Sequence, residues 1–219
     1  MIYLIFFLAE IFLLYFISQK LHKAISAFIY KVTKSKKWTI YIMAVVFLPG
    51  TIIHELSHAV SALFLLVPFE NVEFIPEIQG KDVKLGSVRI AKTDPLRSFL
   101  ISSAPLTLGV LLILYIFYFI FQLEEGFSLW STLISLYAAF EIGNSMYLSK
   151  SDTKGMLGLV ILLVIFFIVL YLLGVNISLN TNNLLKFDLG LLFKKASLFM
   201  LFPVAIDTLL IKIIKLTTK

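Results

Sequence analysis

Residues 40–67 read IYIMAVVFLPGTIIHELSHAVSALFLLV. The run exceeds the roughly 20 apolar residues that carry a helix across a bilayer, yet it is interrupted by Pro49-Gly50 and holds two histidines and a glutamate. Proline removes an amide donor and crowds the preceding turn, so a kink or a broken helix is expected there. His54, Glu55 and His58 among Leu, Val and Phe are costly to bury unless they pair or bind something.

The rest of the chain shares this character. Of 219 residues 60% are apolar and 15% charged, with mean hydropathy +0.98, too few polar groups to cover a soluble globule. Further apolar blocks lie at 1–17, 96–121, 128–148, 156–175 and 196–214. With 40–67 they predict an all-α, multi-pass integral membrane protein of about six transmembrane helices, forming a single membrane domain over 1–219. The first block lacks a basic leading region and carries Glu10, so it is expected to stay as a helix rather than act as a signal peptide. No internal repeat supports a duplicated transporter architecture. The net charge of +6 is read as lysines reaching lipid headgroups, making the bilayer a partner and nucleic acid not one.

One sizeable polar stretch, 68–95, separates the second and third spans. Residues 71–78 and 84–92 alternate as strands do, joined by the turn-like Gln79-Gly80-Lys81-Asp82, which predicts a small β-hairpin. Pro76 cannot donate to a ladder and places its strand at an edge or keeps it short. Asp94-Pro95 reads as a helix cap with proline at the first helical position. Residues 176–183 read as a polar connector and 184–195 as an interfacial amphipathic helix.

His54-Glu55-Leu56-Ser57-His58 is an H-E-x-x-H motif on a predicted helix. Residues four apart share a face, so both imidazoles can grip one Zn²⁺ while Glu55 reaches the water beside it. With 3 His and 8 Glu in the chain, chance yields the pattern about once in a thousand such sequences. Cysteine is absent, so any metal needs His, Asp or Glu. A third ligand is needed, and the candidates within apolar blocks or at their ends are Glu10, Glu141, Asp152, Asp207 and His22. Asp152 is the best placed, in an expected non-helical break at 149–155, although helix capping or a solvated loop charge would also explain it.

These residues resemble the site-2 protease family of intramembrane zinc metalloproteases. In that family a later helix carries N-x-x-P-x-x-x-L-D-G, whose Asp is the third zinc ligand. Here Asn144 precedes Asp152 at the same spacing, with Tyr147, Ser151 and Thr153 at the Pro, Leu and Gly positions. A G-P-x-x-N element is echoed by Ala104-Pro105-Leu106-Thr107-Leu108, which keeps only the proline, and the polar stretch 68–95 resembles the family's β-rich segment. The likeness covers a three-helix core over about 40–155 and leaves 1–17, 156–175 and 196–214 as peripheral helices.

The resemblance implies one zinc per chain held by His54, His58 and Asp152, Glu55 as general base, a membrane-protein substrate, and a substrate contact from Asn144, which an interhelical amide bond would also explain. Glu141, three residues earlier, is either a structural carboxylate or a neighbour of the site. A cell-membrane location follows, with the site near the cytoplasmic face and residues 20–37 outside. The lysines of 20–37 argue the reverse. The alternatives are a transporter or membrane protein with a metal or proton site, and a family member that binds substrate without cutting it.

Overall fold

The computed structural model describes residues 2–74, 76–79, 82–84, 86–122, 129–147, 150–172 and 189–218. It is mainly helical: α1 (Ile2–Thr33), α2 (Lys36–Val46), α3 (Leu48–Phe64), α4 (Pro95–Gln122), α5 (Leu129–Ser145), α6 (Lys150–Leu172) and α7 (Leu189–Thr218), with short strands β1 (Phe69–Glu73), β2 (Glu77–Gln79), β3 (Asp82–Lys84) and β4 (Ser87–Ile90) between α3 and α4. Among the described residues α1, α4 and α7 are long and apolar enough to cross a membrane, and α2 with α3 makes a fourth candidate if the bent pair counts as one span.

The first apolar block does not end at residue 17. The helix runs on to Thr33, 32 residues in all, or about 48 Å against a hydrocarbon core of about 30 Å. Lysine is a good helix former, so the basic stretch continues the helix instead of forming a loop. Lys20, Lys23, Lys31, Lys34, Lys36 and Lys37 are all exposed. The helix stops where Lys34 turns left-handed, at φ 53°.

The expected break in residues 40–67 is present. Helices α2 and α3 meet at Phe47 with a bend of 69°. Pro49, in the first turn of α3, has no amide hydrogen for the carbonyl four residues earlier. Two backbone groups freed at the bend find partners on α5: Tyr137 donates its hydroxyl to the Val46 carbonyl at 3.2 Å, and the Gly50 amide donates to Glu141 Oε2 at 3.2 Å. Glu141 thus serves as a structural carboxylate at the head of α3.

The polar stretch folds back on itself as predicted, but each arm is broken. β1 pairs antiparallel with β4 (Phe69 opposite Ile90, Glu70 opposite Arg89), and β2 pairs with β3. A bulge falls at Asn71, whose φ is 46°. Pro76 lies between β1 and β2, outside either ladder. Of the turn at 79–82, residues 80 and 81 are outside the described set. The base of the hairpin is anchored on α3 and α4, where Phe69 and Ile90 pack against buried Ala62, Val67 and Ile101.

Two further expectations change. Asp152 was expected in a non-helical break but lies in the first turn of α6, where unpaired amide groups favour an anion. Within 184–195, the described residues from Leu189 onward are the start of the continuous α7 rather than a separate interfacial helix. The connector at 176–183 is outside the described residues. The main core joins α1, α4, α5 and α7 through Leu14, Ile113, Ile142 and Met200. Tyr147 belongs to it, donating its hydroxyl to Ile11 O at 3.2 Å and meeting Tyr15 edge-on.

A His-His-Asp candidate metal centre

The H-E-x-x-H motif lies within α3, with His54, Glu55 and Ser57 buried. Helical spacing turns both imidazoles to one side, their ring centroids 4.9 Å apart. The first turn of α6 brings Asp152 to them: His54 Nε2 is 3.2 Å from Oδ2, and His58 Nε2 is 3.2 Å from Oδ1. His54 and Asp152 are each 3% exposed, and one ligand atom from each of the three residues lies within 4.8 Å of the others.

These residues fit a zinc ion. Bonds of about 2.0–2.2 Å in a tetrahedron place ligand atoms about 3.4 Å apart, close to the observed imidazole–carboxylate separations. Two imidazoles and a carboxylate form a donor set used by catalytic zinc, which leaves a position open. His58 Nδ1 lies 2.8 Å from the Ile101 carbonyl. A carbonyl only accepts, so Nδ1 carries a proton, the arrangement that orients a ligating histidine and leaves Nε2, which without a metal donates to Asp152, as the nitrogen that would face a bound ion. His54 Nδ1 is buried without a hydrogen-bond partner.

Glu55, between the histidines in sequence, is 5% exposed. The hairpin reaches it: a Cβ placed on Gly86 would lie 2.9 Å from Glu55 Cγ, 3.0 Å from Oε1 and 2.8 Å from Thr51 Cγ2. Only a residue without a side chain lets the backbone ahead of β4 come this close. Helix α6 is seated on α4 in a similar way, since a Cβ on Gly155 would lie 2.6 Å from the Ser102 carbonyl carbon. That contact, three residues beyond Asp152, sets how closely α6 approaches α4.

The other candidate ligands go elsewhere. Glu10 accepts from the Ser197 hydroxyl at 2.8 Å, and Glu141 accepts from Gly50. Asp207 accepts from Asn144, and His22 meets the Ser18 carbonyl through Nδ1 and stacks on Phe47. Among the described residues, His54, His58 and Asp152 form the only such group. Asn144, expected to contact substrate, is buried, and Nδ2 donates to Phe140 O at 3.0 Å and Asp207 Oδ1 at 2.9 Å. Both of its amide protons are committed, which leaves Oδ1, an acceptor without a partner.

Sequence reasoning did not find Ile101, Gly86 or Gly155. The first acts through its main chain, and the glycines act through what they lack. Comparison of the chain with protein-family models, curated proteins and solved structures returns no match.

Proposed function

We propose that the chain is an intramembrane zinc metalloprotease of the site-2 protease type, cutting peptide bonds of membrane-spanning or membrane-associated proteins. The observation that carries this reading is the convergence of both motif imidazoles on Asp152, each at 3.2 Å, with the buried Glu55 on the same helix. His54, His58 and Asp152 would hold one zinc ion per chain. Bound there, zinc supplies a Lewis acid that polarises a peptide carbonyl and lowers the pKa of water to about 7.

The chain's own residues do the rest. Glu55 accepts the proton of the attacking water as the new C–O bond forms and then returns it to the nitrogen of the scissile bond as the C–N bond breaks, so that no net proton is consumed at Glu55. A helical substrate must unwind to expose its peptide bonds. The two-stranded β1–β4 sheet, which begins at the Gly86 approach to Glu55, offers an edge for an unwound segment to join by main-chain bonds.

This reading takes the chain as a six-crossing protein of the cell membrane, with α2 and α3 as one bent span. Helices α5 and α6, 17 and 23 residues long, complete the count. A non-proteolytic metal or proton site draws support from the buried carboxylates outside the triad, Glu10, Glu141 and Asp207, since acids at membrane depth often mark ion pathways. Glu55 decides between the two: holding a metal needs the imidazoles and Asp152 but no base.

Elemental analysis of the purified protein tests the centre. The reading expects about one zinc per chain, lost in His54→Ala and in Asp152→Ala. A wild-type protein that holds no zinc under saturating metal would overturn it.

A further inference from the structure

We propose that Pro105 is a positioning residue for His58: having no amide hydrogen, it leaves the Ile101 carbonyl free to take the proton on His58 Nδ1, and so aims Nε2 at Asp152. In an α-helix the amide of residue i bonds the carbonyl of residue i−4. Pro105 lies inside α4, and the carbonyl four residues before it is Ile101, the one that His58 meets at 2.8 Å.

Proline in a helix interior is costly because it loses that bond and crowds the preceding turn. In a membrane a freed carbonyl has no water to satisfy it and must find another donor. Here the donor is the imidazole of α3. The same turn of α4 meets α6, because Ser102, next to Ile101, is the residue on which Gly155 sits. One turn of α4 therefore governs both sides of the centre: the proton on His58 Nδ1 through Ile101, and the approach of Asp152 through Ser102. Pro105 and Ile101 are both buried, which protects the bond from competing solvent.

The inference deepens the zinc reading and rests on it for its consequence, while its immediate effect is on the imidazole and is measurable without metal. Pro105→Ala supplies an N–H that competes for Ile101. Replacing residue 105 instead with lactic acid removes the ring but again provides no N–H. Nitrogen-15 spectra of the metal-free protein report which ring nitrogens of His58 carry a proton. With Nε2 facing the Asp152 carboxylate in all three metal-free proteins, the expectation is a protonated, hydrogen-bonded Nδ1 in the wild type and in the lactic acid variant, and an Nδ1 that has lost that proton or that bond in Pro105→Ala.

Zinc competition against a chelator is the second readout. Pro105→Ala is expected to weaken zinc binding about 10- to 100-fold, the usual effect of losing such an orienting partner, while the lactic acid variant stays close to wild type. An Nδ1 as protonated and hydrogen-bonded in Pro105→Ala as in the wild type, or equal loss in both variants, would overturn the role of Pro105. A wild type that binds no zinc would instead defeat the zinc reading and leave the nitrogen-15 experiment to judge Pro105 alone.

Discussion

Asn144 on α5 donates its side-chain amide to Asp207 on α7 at 2.9 Å, with both residues at most 1% exposed. A hydrogen bond between helices in a membrane contributes about 0.6 kcal/mol on average, with a maximum of about 1.7. Removing one partner costs more, because the other is left buried and unsatisfied. Asp207→Ala is therefore expected to destabilise the protein by about 1–3 kcal/mol, and Asn144→Ala/Asp207→Ala by less than the sum of the single changes. Unfolding in mixed micelles checks this. Additive losses would show that the pair does not couple α5 to α7.

Gly86 is the point at which the hairpin meets the proposed base. Gly86→Val places a branched side chain where a single Cβ already falls 2.9 Å from Glu55 Cγ. The hairpin or Glu55 has to shift by a fraction of an ångström to about one ångström, a displacement that typically costs about 10²-fold in rate. Zinc content should be unchanged, because Gly86 touches no ligand. Cleavage of a model membrane substrate at the wild-type rate would show that the hairpin does not constrain Glu55.

Gly155 has a backbone for a neighbour. Its Cβ would fall 2.6 Å from the Ser102 carbonyl carbon and 2.7 Å from Oγ, and main chain cannot swing aside as a side chain does. Gly155→Leu is expected to cost about 1–3 kcal/mol or more by overpacking. It should also weaken zinc binding by moving Asp152 off the histidines. A thermal melt with and without added zinc separates the two effects. Loss of stability with full zinc affinity would mean that α6 reaches the centre independently of this contact.

The entry to α4 depends on pH. Asp94 accepts from the Arg97 amide at 3.0 Å, and this bond holds the Asp94 carboxyl below the usual carboxylate range. A depressed folded-state value means that the contribution to stability is present above the unfolded value of about 3.9 and is lost as pH falls through the folded one. Protection of the Arg97 amide hydrogen, measured against the exchange rate of an unprotected amide at the same pH, should thus fall in acid, with Asp94→Ala unprotected at every pH. An Arg97 amide equally protected at low pH would contradict the cap.

The legible parts of the molecule are those where one residue type has a local consequence. Pro49 announced the bend between α2 and α3, the H-E-x-x-H spacing announced two imidazoles on one face, and Asp94-Pro95 announced a helix start. Asp152 was found by its distance from Asn144, although its helical setting was not. What stayed hidden depends on groups far apart in sequence or on missing atoms. Asp207 gives no local sign that it will hold Asn144. The lysines after residue 17 read as a loop by charge, while their helix-forming stems continue α1. Pro105 was visible as a proline in a membrane helix, but the use of the carbonyl it frees appears only when α3 is packed beside it.

The most direct test of the central claim is cleavage of a model membrane substrate by Glu55→Gln compared with wild type, both loaded with zinc. Glutamine keeps the shape of glutamate but cannot take a proton, and general base catalysis of this kind contributes about 10²–10⁴-fold. The account predicts about one zinc per chain in both proteins, with cleavage falling by at least that factor in the variant. Undiminished cleavage by zinc-loaded Glu55→Gln would contradict it.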